Sequence, residues 1–239
     1  IGPSPTINGF VRSNGEALRV ISGAANNGIL VIGNRKRGIT RLDQLPGRRI
    51  ATPQLGNTQD ISAKSFLTEL LGARLRDRGG DTDVFPMANP DIEILFEKDQ
   101  IDAAWVPEPW GSRIISKGLA NLVAEEKDLW PGGNFPLTSV IARREFLDRH
   151  PELVERFLQA HIRITRELAA DPFSFADLLN QELKRLTGKT LPRQVALDSL
   201  KHTRFTTDPS REGYEAFFQK ARRLRLVKGD ELDLDRLIT

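Results

Sequence analysis

The stretch LPGRRIATPQLGNTQD, Leu45 to Asp60, carries most of what the chain says about its fold. Arg49 to Thr52 is a short run suited to a strand. Gly56-Asn57-Thr58-Gln59-Asp60 then supplies a flexible glycine and a cluster of capping side chains, and a helix carrying Ile61, Phe66, Leu67, Leu70 and Leu71 follows. Strand, polar loop, helix is the repeating unit of α/β proteins. Working outward, Asp83 to Phe85 reads as a strand, Asn89-Pro90-Asp91 opens a helix through Ile94, Leu95 and Phe96, and Ile101 to Val106 reads as a buried strand. Upstream, Ser4 and Pro5 open a helix with Ile7, Phe10 and Val11 on one face. Leu18 to Ser22 and Ile29 to Ile32 read as strands joined by a small, polar loop, Gly23 to Gly28, whose Ala25 and Asn26 are placed to touch a ligand.

Downstream of the strand expected at Thr138 to Arg143 the chain reads as helical nearly to its end. Pro151 opens a helix with Val154, Phe157, Leu158, His161, Thr165 and Leu168 down one face, and further helices follow Pro172, Pro192 and Pro209. The 239 residues suffice for one large domain or two modest lobes, and the 39% apolar and 28% charged content is ordinary for a folded globular chain. Charges of both signs are interleaved, with a net of +3, so no one-signed stripe is offered to nucleic acid. The longest wholly apolar stretch, Ile29 to Ile32, is far short of a membrane span.

Several chemistries find no support. Without cysteine there is no thiol nucleophile, thiolate-bound metal or disulfide. His150, His161 and His202 are too widely spaced for a local metal pair; His161 is expected at a core boundary and His150 at a helix start. Gly33 to Gly38 has the spacing of a phosphate loop but is followed by Ile39-Thr40 in place of Lys-Ser or Lys-Thr, and Arg35-Lys36-Arg37 reads as a solvated loop. No serine sits in a Gly-x-Ser-x-Gly elbow. No catalytic residue, metal or cofactor is expected. The informative segments are the polar and aromatic ones at strand-to-helix transitions: Gly2 to Thr6, Gly23 to Gly28, Gly56 to Asp60 and Trp105 to Trp110. In open α/β sheets ligands bind outside the carboxyl ends of strands, and helix starts attract anions.

The strings GPSPTING (Gly2 to Gly9), LPGRRIATPQLGNTQD, AAWVPEPW (Ala103 to Trp110), LWPGG (Leu129 to Gly133) and FLDRHPELVERFLQAH (Phe146 to His161) together make the chain resemble the periplasmic substrate-binding proteins of ABC importers, in the nitrate/sulfonate/taurine group. The resemblance implies the type II periplasmic binding fold, with two α/β lobes, mixed sheets, a ligand cleft between the lobes and a helical C-terminal part. Residues 1–37 plus 138–239 would form lobe I and 38–137 lobe II, with hinges near Gly33 to Arg41 and Pro136 to Ser139. Family members carry an earlier strand, helix, strand and helix, so lobe I is expected to be incomplete by roughly two βα units.

On this resemblance the chain is a non-enzymatic, monomeric, periplasmic or extracytoplasmic receptor, its export signal removed or its N-terminus lipid-anchored. It would close on a small organic oxyanion, an aliphatic sulfonate or taurine-like compound, and deliver it to a membrane permease. Ser4, Thr6, Asn57, Thr58 and Gln59 would offer donors to the acid group, with Ala25 and Asn26 also among the ligand-binding residues. Trp105 and Trp110 would bury the tail, and Glu108 or Asp60 would accept an ammonium. Same-fold alternatives are a pyrimidine synthase, a menaquinone-pathway lyase or a cytosolic ligand-sensing domain; the synthase's cysteine-rich iron-binding run is absent.

Overall fold

Proline at the first and third positions of α1 (Pro3–Arg12) removes N–H groups that a helix start would leave unpaired, and the helix buries Ile7 and Phe10. A computed structural model describes residues 1–239. Strands β1 (Leu18–Asn27) and β2 (Ile29–Asn34) follow α1. The loop expected at Gly23 to Gly28 is therefore largely strand. Its residues pair with strands on both sides, and a Cβ at Gly23 would lie 2.3 Å from the Asp208 carbonyl oxygen, so smallness here serves close backbone approach.

The chain continues as β3 (Arg49–Thr52), α2 (Thr58–Glu69), β4 (Asp83–Pro86), α3 (Asn89–Glu97), β5 (Ala103–Pro107), α4 (Trp110–Ser116) and β6 (Ala120–Glu125). Two 3-10 turns lead to β7 (Pro136–Arg143), and then come α5 (Arg144–Arg149), α6 (Pro151–Ala170), α7 (Ala176–Thr187), α8 (Arg193–His202), β8 (Thr203–Phe205), α9 (Arg211–Arg223) and α10 (Leu234–Leu237). Strands β6 and β8 have no counterpart in the sequence expectation. Ala120–Glu125 is only partly buried and carries the polar Asn121 at its second position, and β8 is three residues long. No helix is long and apolar enough to cross a membrane.

One sheet has the order β7-β1-β8 and is antiparallel throughout; the other has the order β4-β3-β5-β2-β6, with β3 parallel to β4 and β5, and β2 antiparallel to β5 and β6. The five-stranded sheet is buried on both faces. Ile29, Val31 and Trp105 point into a 25-residue cluster shared with α1, α2 and α9, while Leu30, Ile32, Ala104 and Val106 point into a 10-residue cluster with Ile92, Phe96 and Ile114. Because β2 hydrogen-bonds only within this second sheet, the chain changes sheets at Asn27 and Gly28, both at positive φ, and not near residue 37. The change of sheet thus falls before the Gly33 to Arg41 segment. Arg37 is not free solvent-facing charge either: it pairs with Asp99 at 2.8 Å and Asp102 at 2.7 Å.

Helix α6 has the expected amphipathic face, but only Thr165 is buried; Leu153 and Phe157 line an open apolar groove of about 530 Å³ with Ile21, Val140 and Phe146. His161 sits at the sheet boundary as expected, with Nε2 2.8 Å from the Gly23 carbonyl and its ring stacked on Phe157.

The passage from β6 to β7 is fastened by an aromatic stack. Trp130 lies 4.3 Å from Phe135 and edge-on to Phe66 at 5.2 Å. The indole N–H groups of Trp105 and Trp130 both donate to Glu126, the latter at 2.9 Å. Burial pushes the Glu126 carboxyl up to about 7, against the pull of those indole donors. A folded-state value above the ordinary 4.5 means that this group's contribution is full at low pH and is lost as pH rises through about 7. Between pH 5 and pH 8, Glu126→Gln should therefore gain on the native protein by on the order of 2 kcal/mol, read from denaturant midpoints at both pH values.

Candidate functional site

The loop before α2 is built around one buried carboxylate. Asp60 accepts from the Thr52 hydroxyl at 3.0 Å, the Gly56 N–H at 2.9 Å and the Lys64 ammonium at 2.9 Å, and is fully buried. It is a staple of the loop, and its complete burial leaves it unexposed to a ligand ammonium. Asn57 is the N-cap of α2, its side-chain oxygen accepting from the Asp60 N–H at 2.9 Å. That cap satisfies the third N–H of the helix and leaves those of Thr58 and Gln59 directed out of the helix start.

Helix α1 meets this loop from the other side. The Ser4 N–H reaches the Thr58 hydroxyl oxygen at 3.4 Å, and the Ser4 hydroxyl donates to the Gly56 carbonyl at 2.7 Å. Only glycine fits at position 2, where a Cβ would stand 2.7 Å from Thr58 Oγ1. Since Ser4 donates to it, the Thr58 hydroxyl keeps its own proton for another acceptor. The start of α1 itself offers few donors, because Pro3 and Pro5 carry no N–H.

These segments border an open cavity of about 320 Å³ lined by Gly2 and Pro5 of the α1 start, Asn57, Thr58 and Gln59 of the α2 start, Pro107 at the end of β5 and Glu108 just after it, and Leu137 and Thr138 of β7. It lies where residues from both sheets come together. Glu108 is its one charged lining residue. Both carboxylate oxygens are held by Ser112, Oε1 by the hydroxyl at 2.6 Å and Oε2 by the N–H at 3.0 Å. His202, at the end of α8, stands 3.9 Å from Oε1 and 3.1 Å from Glu125 Oε2. Burial raises the Glu108 carboxyl above its ordinary range, the Ser112 bonds and His202 pulling the other way. The crossover is tied into the same spot, for the Glu108 N–H donates to the Gly28 carbonyl and the Gly28 N–H to the His202 carbonyl, each at 2.8 Å.

The residues expected to form the site thus fall into groups. Asn57, Thr58, Gln59 and Glu108 line the cavity. Ser4 and Thr6 stand behind its wall with their hydroxyls spent on the Gly56 and Gly2 carbonyls. Ala25 and Asn26 lie in β1; Asn26 is buried and donates to Asn134 at 2.8 Å, with its own side-chain oxygen unpartnered. Trp105 is a correction: it is wholly buried, stacked on Phe66, with its N–H consumed by Glu126. Trp110 likewise does not line the cavity; it packs against the second core cluster under the Arg113 guanidinium. Leu137 and Thr138 were not anticipated as lining residues, since they read as ordinary strand positions and reach the cavity only through the return of β7.

The sequence matches the NMT1-like family over residues 6–178, more than half of the chain. It is 26% identical over 157 residues to the taurine-binding periplasmic protein of Escherichia coli K12, a match spanning 66% of this chain but 46% of that protein. Among solved structures it superposes on the alkanesulfonate-binding protein SsuA from Xanthomonas axonopodis pv. citri, bound to MOPS, with a TM-score of 0.74 at 19% identity. That match covers 100% of this chain and 78% of that one. The periplasmic nitrate-binding protein NrtA from Synechocystis PCC 6803 gives a TM-score of 0.76 at 14% identity, covering 92% and 64%. The α/β architecture with its two sheets is the fold of these periplasmic binding proteins, and the chain belongs to the NMT1-like family.

Proposed function

We propose that the chain is the solute-binding component of an ABC importer, working outside the cytoplasm, which captures a small organic oxyanion of the aliphatic sulfonate class and presents it to a membrane permease. The observation that carries the reading is the cavity itself. It brings the uncapped N–H groups of Thr58 and Gln59, the free proton of the Thr58 hydroxyl and residues of both sheets to one place, in a chain related to a taurine-binding protein. Uncapped N–H groups and the positive end of a 12-residue helix favour an acid group without any basic side chain. A cavity of about 320 Å³ suits a compact solute. Residues from two sheets around one solute also suit recognition by closure, with the bends at Asn27-Gly28 and in the segment after β6 as hinges.

The test is calorimetric titration of the complete protein with taurine, short alkanesulfonates, nitrate, bicarbonate and an aminopyrimidine. Saturable binding confined to the sulfonates supports the reading; preference for nitrate, bicarbonate or the pyrimidine contradicts it.

A further inference from the structure

A second cleft, sharing no lining residue with the first, opens between the end of α6 and β8, the edge strand of the three-stranded sheet. It measures about 460 Å³, its charged lining residues are Arg166 and Arg204, and none of its lining residues is acidic. Neither guanidinium meets a carboxylate, in contrast to Arg37 and Arg113. The acids adjacent in sequence to the lining residues do not supply one. Asp171 accepts from the Ser174 N–H at 3.3 Å, Asp208 accepts from the Ser210 N–H at 2.8 Å, and Glu167 is exposed without lining the cleft. Two like charges on one small cleft repel, and an anion of two charges between them removes that cost.

The polar groups between the arginines point the same way. Thr165 is the one buried residue of α6, 6% exposed, yet it lines the cleft and its hydroxyl makes no hydrogen bond within the protein. It is a donor held ready at the floor. Pro172 has no N–H to return to the Leu168 carbonyl, and both residues line the cleft, so an acceptor lacking its helical partner stands there too. The carbonyl end of α6 opposes a bare anion, an effect smaller than one charge-assisted hydrogen bond, and it favours an anion that also carries a hydroxyl. Hydrogenphosphate has two negative charges and one P–OH; sulfate has the charges without the donor, and nitrate has one charge. We propose that this cleft is a second binding site, for a phosphate group held by Arg166 and Arg204, with the Thr165 hydroxyl donating to it and the Leu168 carbonyl accepting from it. A volume of about 460 Å³ admits a phosphate monoester as well as the free ion.

The complete protein, titrated calorimetrically at fixed ionic strength with inorganic phosphate, sulfate and nitrate, tests the assignment, and flotation with phosphatidic-acid vesicles tests a lipid headgroup as the source of the same chemistry. Phosphate should bind at one site per chain, at least about 5-fold more tightly than sulfate. Arg166→Ala and Arg204→Ala should each weaken it about 10- to 150-fold, the worth of one charge-assisted hydrogen bond. Both side chains are exposed, so unchanged thermal unfolding of the variants without phosphate controls for folding. Binding to the vesicles alone, lost in both variants, would support the site and identify the headgroup as its ligand. No saturable binding in either arm, binding that both variants keep, or sulfate bound as tightly as phosphate would overturn the proposal.

Discussion

Trp130→Ala is expected to lower folding stability by about 3 to 5 kcal/mol, the range for deleting a large buried aromatic side chain. Three consequences coincide at this position. The ring leaves a hole between Phe135, Phe66 and Phe217, which it contacts in stacked and edge-on geometry. Glu126 loses one of its two indole donors while remaining wholly buried. Lys220, whose ammonium lies 5.5 Å from the Trp130 ring and 4.2 Å from that of Phe66, loses part of its aromatic bed. A domain of ordinary stability, about 5 to 15 kcal/mol, would be left marginal. Denaturant unfolding of the variant checks this, and a loss under about 1 kcal/mol would show that the stack does not hold the segment between the sheets.

Asp60→Ala should cost a similar amount, about 3 to 5 kcal/mol, because it strips a buried Lys64 ammonium of its partner and abandons the Thr52 hydroxyl and Gly56 N–H together. The double variant Asp60→Ala, Lys64→Met removes the stranded charge and should recover much of the lost stability. If the single variant unfolds no earlier than the native protein, the carboxylate is not what holds the loop. Binding should fall in both variants, because without Asp60 the Gly56 N–H and the start of α2 are no longer fixed against α1.

The architecture was legible where local chemistry is strong. Arg49 to Thr52, the capped start at Asn57, the proline-opened helices and the α/β alternation all stand where the pattern puts them. Gly23 to Asn27 was misjudged because small polar residues signal a loop, whereas here they allow a bulged strand to pass close to the Asp208 backbone. The sheet that takes in β2 is not legible locally, because its run of apolar residues says that it is buried without saying between which neighbours. At the site, Thr58, Gln59 and Glu108 could be picked out as polar residues at strand-to-helix transitions. Trp105 and Trp110 could not be told apart from cleft aromatics, since only the fold shows that an indole N–H is spent on Glu126 or that a ring lies under Arg113. Thr138 needs the return of β7 to reach the cavity, a contact between segments some 80 residues apart that no local pattern encodes.

The central claim is that an oxyanion sits at the start of α2, against Thr58 and Gln59. Calorimetric titration of Thr58→Ala with taurine, alongside its thermal unfolding, tests it most directly. The hydroxyl is predicted to supply one charge-assisted bond, so affinity should fall about 10- to 150-fold with a small change in melting temperature. Unchanged affinity beside a clearly lowered melting temperature would make Thr58 a purely structural partner of Ser4 and contradict the site.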